Sequence, residues 1–165
     1  MSRTIGRWMK KDVVSIHPGA SLIEAAKLLA DKKVGTLPVV DEKAHLVGLT
    51  SMRAIVRIFL PDFINVVKDL DFVHDFGAID DPAPEDVRKA ATMKVGDTME
   101  EPVSVEDDCS LMRALAIMIS HDLLDLPVVK NGKLVGIASR VDVGRAFIEG
   151  WLGRAQKSKK SSRNN

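Results

Sequence analysis

Hydrophobic and polar positions along the chain run through the same pattern twice. The short β-branched runs "VVSI" (13–16) and "VSV" (103–105) read as strands. After each comes a serine, Ser21 and Ser110, that opens a helical spacing of apolar residues. Leu22, Ala25, Ala26, Leu28 and Leu29 give the first helix, from Ser21 through Lys32, a broad apolar face, and Ser21 with Glu24 has the spacing of a capping box. The second, from Ser110 to His121, keeps the cap serine but carries Arg113 where the box wants an acid. "TLPVV" with "HLVGL", and "DLPVV" with "KLVGI", then read as paired strands, and Asn131-Gly132 is a hairpin signal in the later pair. A further helix follows from about Ser51 to Leu60 and from about Ser139 to Leu152.

The two runs superpose with single-residue slips at turns only: Ser21 on Ser110, Leu22 on Leu111, Ala25 on Ala114, Gly48 on Gly136, and, upstream, Met9 on Met99. Each unit is therefore strand, helix, strand, strand, helix. A unit of ~50 residues buries little alone, so the two are expected to pack face to face as one pseudo-symmetric α/β (α+β) domain. The expected divisions are 4–60 for the first repeat, 61–94 for an insert and linker, 95–152 for the second repeat, and 153–165 for a disordered basic tail. Within the insert, Phe63 to Phe72 reads as an amphipathic helix, "DDPAPED" as a turn, and Asp86 to Ala91 as a short helix.

Composition adds limits. Of 165 residues, 45% are hydrophobic and 28% charged, the balance of a globular protein. Net charge is +1, but the last twelve residues, "RAQKSKKSSRNN", carry five basic side chains and no acid, so the rest is net acidic and no general polyanion binder. Nucleic acid is not an expected partner, since the tail brings no aromatic stacking platform. One cysteine, Cys109, excludes an internal disulfide and suits a reducing compartment; it reads as a packed, inert thiol. With no apolar run near the ~20 residues of a membrane span and no signal peptide pattern, a cytoplasmic location is expected. His17, His45, His74 and His121 are scattered, and the acids around His74 match no metal-binding spacing and read as a solvated face. No nucleophile–base set or Walker-type loop is present, so the chain is not expected to be an enzyme. Phe147, Ile148, Trp151 and Leu152 make the last helix apolar along one stripe, which is either core or an oligomer surface.

The candidate chemistry lies in Gly136-x-x-Ser139-x-x-Asp142. A strand ending at Gly136 and a helix beginning at Ser139 converge unpaired backbone N–H groups on the space beside them, which suits phosphate. Asp142 could accept two hydrogen bonds from vicinal hydroxyls, as on a ribose. The glycine permits close backbone approach. The same Ser-x-x-Asp is also a helix-capping arrangement, and the two roles can coexist. The earlier copy has Ser51 but Ala54 in place of the acid.

These motifs, doubled and with matching upstream strands, resemble a tandem pair of cystathionine-β-synthase (CBS) domains, over about Thr4 to Leu60 and Val95 to Leu152. The resemblance implies a CBS-pair (Bateman) module, a homodimer, and regulation of an unidentified protein through an adenosine-containing ligand: AMP, ADP, ATP or S-adenosylmethionine. No cofactor is required. A non-sensing dimerisation scaffold is the alternative. The implied ligand contacts are Gly136, Ala138, Ser139 and Asp142 of the later motif, with Val13, Val14, Gly35, Thr36 and Pro38 of the first repeat. Arg53 stands where some relatives offer a phosphate-binding cation. Lys10 and Lys11 are further candidates for such a cation, with plain surface charge as the alternative. In the opposite cleft, Ala54 removes the acceptor and Asp125 adds negative charge, so one cleft is expected to bind while its twin packs.

Overall fold

The computed structural model describes residues 4–59 and 83–161, with side chains in the last helix as far as residue 154. The stretch Phe63 to Phe72 and the acids around His74 lie outside the described residues. Among those described, the order is a 3₁₀ turn (Ile5–Arg7), α1 (Leu22–Lys32), β1 (Thr36–Val40), β2 (Leu46–Ser51), α2 (Met52–Arg57), α3 (Pro84–Thr92), α4 (Val95–Thr98), β3 (Val105–Glu106), α5 (Leu111–Ser120), β4 (Asp125–Lys130), β5 (Lys133–Ser139) and α6 (Arg140–Ser161). The fold is mixed α/β, and the helix, strand, strand, helix part of the predicted order is present twice. No helix of the described residues is long and apolar enough to cross a membrane.

Two compact units divide the chain, and their segments interleave. One holds Val14–Asp41 and Val47–Glu101; the other holds Met1–Val13, Glu42–Leu46 and Pro102–Asn165. We call them the first-repeat and second-repeat units.

In the first-repeat unit, α1 begins at the predicted box: the Ser21 Oγ accepts from the Glu24 N–H at 3.2 Å, and the Glu24 carboxylate accepts from the Ser21 N–H at 2.8 Å. The bonds this carboxylate accepts, from the Ser21 N–H and, at 2.9 Å, from the Ser21 hydroxyl, hold it below its usual range. The apolar face of α1 then buries Leu22, Ala25 and Leu29 against Ile16, Leu37, Val39 and Ile55. Two pieces from beyond the repeat complete this core. α3, which Pro84 starts at a position where its missing N–H costs nothing, contributes Ala90, and α4 contributes the fully buried Val95. The run "VVSI" forms a single parallel bridge, Ile16 to Val39, rather than a strand. Proline is the reason. Ile16 bonds to the Pro38 carbonyl and the Val40 N–H, and the next rung back would need an N–H that Pro38 lacks.

In the second-repeat unit, β3, β4 and β5 form one sheet, with β3 parallel and β5 antiparallel to β4. Pro127 limits β3 to two residues in the same way. The hairpin turns through Asn131 (φ 52°) and Gly132 (φ 78°), the paired positive angles of a type I′ turn. Leu111, Ala114, Met118, Leu126, Val128 and Val143 form the core, and Ile5 plugs it from the N-terminal segment. The Ile5 N–H donates to the Cys109 carbonyl at 2.8 Å. Burial pushes the half-buried Cys109 thiol up, against the opposing pull of Arg113. α6 continues to Ser161, beyond the point where the tail was expected to lose order. Ala155, Gln156 and the lysines after them are good helix formers, and extending an established helix adds one backbone bond for each residue fixed.

Candidate functional site

β5 passes into α6 without a loop, so Ser139 is at once the last strand residue and the cap of the helix. The start of α6 is pinned by Arg140. Its N–H donates to the Leu124 carbonyl at 2.7 Å, and its guanidinium donates to the carbonyls of Met118 in α5 (3.3 Å) and of Leu123 just past it (3.0 Å). On that fixed start, the Ser139 Oγ accepts from the Asp142 N–H at 3.1 Å and donates to Asp142 Oδ2 at 2.6 Å. The capping geometry is therefore present. It fixes the carboxylate in the first turn of α6, where the helix dipole favours negative charge. A carboxylate has room for about four hydrogen bonds, so the cap leaves capacity for a ligand.

Lys10 is a partner that the motif does not contain. Its Nζ lies 3.8 Å from Asp142 Oδ2. The lysine is held there by its backbone: Lys10 and Ile137 exchange N–H···O=C bonds of 2.8 and 2.9 Å. The Ser139 hydroxyl first, then the charges of Lys10 and Arg145, hold the Asp142 carboxyl below the usual carboxylate range against the opposing effect of burial. The group is thus an ionised, oriented acceptor.

Gly136 makes room for protein. A Cβ there would collide with the Met9 side chain and lie 3.0 Å from the Lys10 carbonyl oxygen. The Ala138 methyl is fully buried in the second-repeat core. Val13 is half-buried in the same unit. The other predicted contacts, Val14, Gly35, Thr36, Pro38 and Arg53, belong to the first-repeat unit. There Pro38 is fully buried, Thr36 and Val14 are half-buried, and Gly35 and Arg53 are exposed. The Gly35 carbonyl accepts from the Met52 N–H at 2.9 Å, the same bond that Leu124 makes with Arg140 in the other unit.

The first-repeat unit copies the scaffold of the motif and changes its charges. A Cβ on Gly48 would run into Met99. Ser51 caps α2 by accepting from the Ala54 N–H at 3.1 Å, but no carboxylate follows. Where Lys10 bridges Ile137, Glu100 bridges Leu49, with backbone bonds of 2.8 and 3.0 Å. Thr50, matching Ala138, is buried, and its hydroxyl has no hydrogen-bond partner among the described residues. Asp125 is half-buried at the head of β4, in register with Ser139 of its own unit. The sequence offers Lys10 only as one of two candidate cations, without its partner, because its docking is made by backbone atoms. The usable signal was the Met9–Met99 match, which sets Lys10 against Glu100 and exposes a charge reversal. Among the described residues, no three His, Cys, Asp or Glu side chains gather as a metal site.

Comparison with known proteins bears on this geometry. The CBS domain model matches residues 5–61 and 95–149. The uncharacterized protein YlbB of Bacillus subtilis is 34% identical over 123 residues, which cover 74% of this chain and 68% of YlbB. Among solved structures, the CBS-pair protein CBSX2 from Arabidopsis thaliana is 28% identical, with a TM-score of 0.69 over 90% of this chain and 96% of that one. A structure of CBSX2 in complex with AMP is 29% identical, with a TM-score of 0.65 over 88% and 96% of the two chains.

Proposed function

Because the chain belongs to the CBS domain family, we propose that it is a regulatory module that binds an adenosine-containing ligand through the Gly136–Asp142 motif. The observation that carries this reading is the Asp142 carboxylate, ionised and aimed by Ser139 in one unit, against Ala54 at the same place in the other. A carboxylate so fixed is suited to the paired hydroxyls of a ribose. The AMP complex of CBSX2, a protein 29% identical to this chain, supports the ligand class. Val13, half-buried in the same unit as the motif, is proposed as a further contact through its small side chain or backbone. The output would be a change in assembly or in a regulated protein, by preference of the ligand for one state.

Calorimetric titration with AMP, ATP, adenosine and S-adenosylmethionine tests the reading. One ligand per chain is expected, with a rise in Tm that reflects about 2.7 kcal/mol at a ligand concentration one hundred times Kd. A folded protein that takes up none of the four would overturn it.

A scaffold reading draws on a separate feature. Ile119 of α5 and Val141, Ile148 and Trp151 of α6 are 64%, 69%, 52% and 60% exposed, although α5 and α6 lie against each other. Such a stripe suits a second copy of the chain. We therefore propose a homodimer in either reading, with a solution mass near twice the 18.0 kDa of the chain.

A further inference from the structure

We propose that Lys10 is a specificity-determining residue that makes the Asp142 motif prefer adenosine ligands carrying a phosphate over unphosphorylated adenosine. The inference rests on the function proposed above, and its test separates the two.

Three observations carry it. Lys10 is anchored but its charge is not. Two backbone bonds to Ile137 fix the residue beside β5, and Met9 fills the space at Gly136 just before it. The ammonium itself is 3.8 Å from Asp142 Oδ2, beyond hydrogen-bonding range, on a side chain 69% exposed. A pair with an exposed cation, held by charge alone, is weak and readily exchanged. When ribose hydroxyls take the carboxylate, the ammonium on its flexible four-carbon stem is free to turn to the 5′ side of the sugar. A phosphate there offers more charge and three acceptor oxygens.

The second observation is the twin. Glu100 occupies the corresponding bridge beside Leu49, and the helix it adjoins begins with Ala54 instead of an acid. Cation goes with the carboxylate, and anion with its absence. A position that served only to dock a strand segment would need no charge, because the docking bonds are made by backbone atoms in both units. An anion at this place repels phosphate, and a cation attracts it.

The third is the state of Asp142 without Lys10. An aspartate is ionised at neutral pH, and the Ser139 hydroxyl, the first cause of its lowered pKa, still orients it, so the carboxylate stays a hydroxyl acceptor when the lysine is replaced. Ribose and phosphate recognition should then separate by mutation.

The experiment titrates AMP and adenosine, as the two probes, into the wild-type chain, Lys10→Gln, Lys10→Arg and Asp142→Ala at low salt. Tm without ligand serves as the folding control. The wild type is expected to prefer AMP. Lys10→Gln should lose AMP affinity on the order of tenfold, with adenosine affinity changed by less than about twofold. Lys10→Arg should retain the preference. AMP binding should weaken with added salt more steeply in the wild type than in Lys10→Gln. Equal loss of both probes in Lys10→Gln, no loss of either, or a wild type indifferent to the phosphate would overturn the role of Lys10. If Asp142→Ala abolishes binding of both probes while Lys10→Gln keeps the preference, the ribose site stands and the Lys10 assignment falls. Failure of the folded wild type to bind either probe would remove both.

Discussion

The two units build one scaffold and give it opposite charges. In each, a methionine lies where a glycine Cβ would stand: Met9 at Gly136 and Met99 at Gly48. In each, a residue just after that methionine bridges the last strand, and a serine caps the helix that follows it. The features shared by both are those a fold of this kind needs in order to stand. Those present once, Asp142 and Lys10 against Ala54 and Glu100, are not needed by the scaffold, because the twin stands without them. The comparison therefore sorts the residues of the motif into framework and chemistry, which the motif spacing alone could not do.

The largest expected effect breaks the shared part. Gly136→Val and Gly48→Val each force a side chain into space held by a methionine and, at 3.0 and 3.2 Å, by the carbonyl oxygens of Lys10 and Glu100. Each should destabilise the protein by about 1–3 kcal/mol, measured by urea unfolding, and the two losses should be alike. A loss at Gly136 alone would mean that the scaffold is not shared.

A smaller effect, of opposite sign, sharpens a difference. Thr50 carries an unpartnered, buried hydroxyl at the place where the second-repeat unit has Ala138. Thr50→Val keeps the shape and removes the unsatisfied group, so stability should rise by about 1 kcal/mol. A loss would show that the hydroxyl has a partner in solution.

The smallest effect concerns pH. The Asp142 carboxyl is held below its ordinary value by the Ser139 hydroxyl first. Its contribution to stability is therefore full above the unfolded carboxylate range near about pH 4, and is lost as pH falls through the lower folded value. Asp142→Asn should flatten the acid limb of the Tm–pH curve slightly and leave the neutral limb unchanged in shape. The twin, with Ala54, has no such term to lose. An acid limb identical to that of the wild type would contradict the coupling.

Much of this was legible in the sequence for a definite reason. The repeat, both cap serines, the Ser21–Glu24 box and the Asn131-Gly132 turn are local signals, written in residues close together along the chain, and they appear in the structure as read. The exchange of the upstream segments was not legible. Thr4 to Lys10 serves the second-repeat unit and Lys94 to Glu100 the first, through backbone bonds that any side chain could make. The side chains that go with it, Ile5, Met9, Val95 and Met99, are apolar in either unit and do not say which one they dock on. "VVSI" looked like a strand because its residues are β-branched, whereas Pro38, in the neighbouring strand, decides how far it can pair. Within the motif, Ser139 and Asp142 were readable as a pair, and the structure joins them. The glycine was read for its openness, which a distant methionine takes up.

The central claim is that one motif holds the chemistry and its twin holds only the scaffold. The most direct measurement is the number of AMP molecules bound per chain, by calorimetry, in the wild type and in Asp142→Ala. The account predicts one in the wild type, and a loss of about 1.5–3 kcal/mol of affinity, roughly ten- to more than a hundredfold, in the variant. Two equal sites in the wild type, or a single site indifferent to Asp142→Ala, would contradict it.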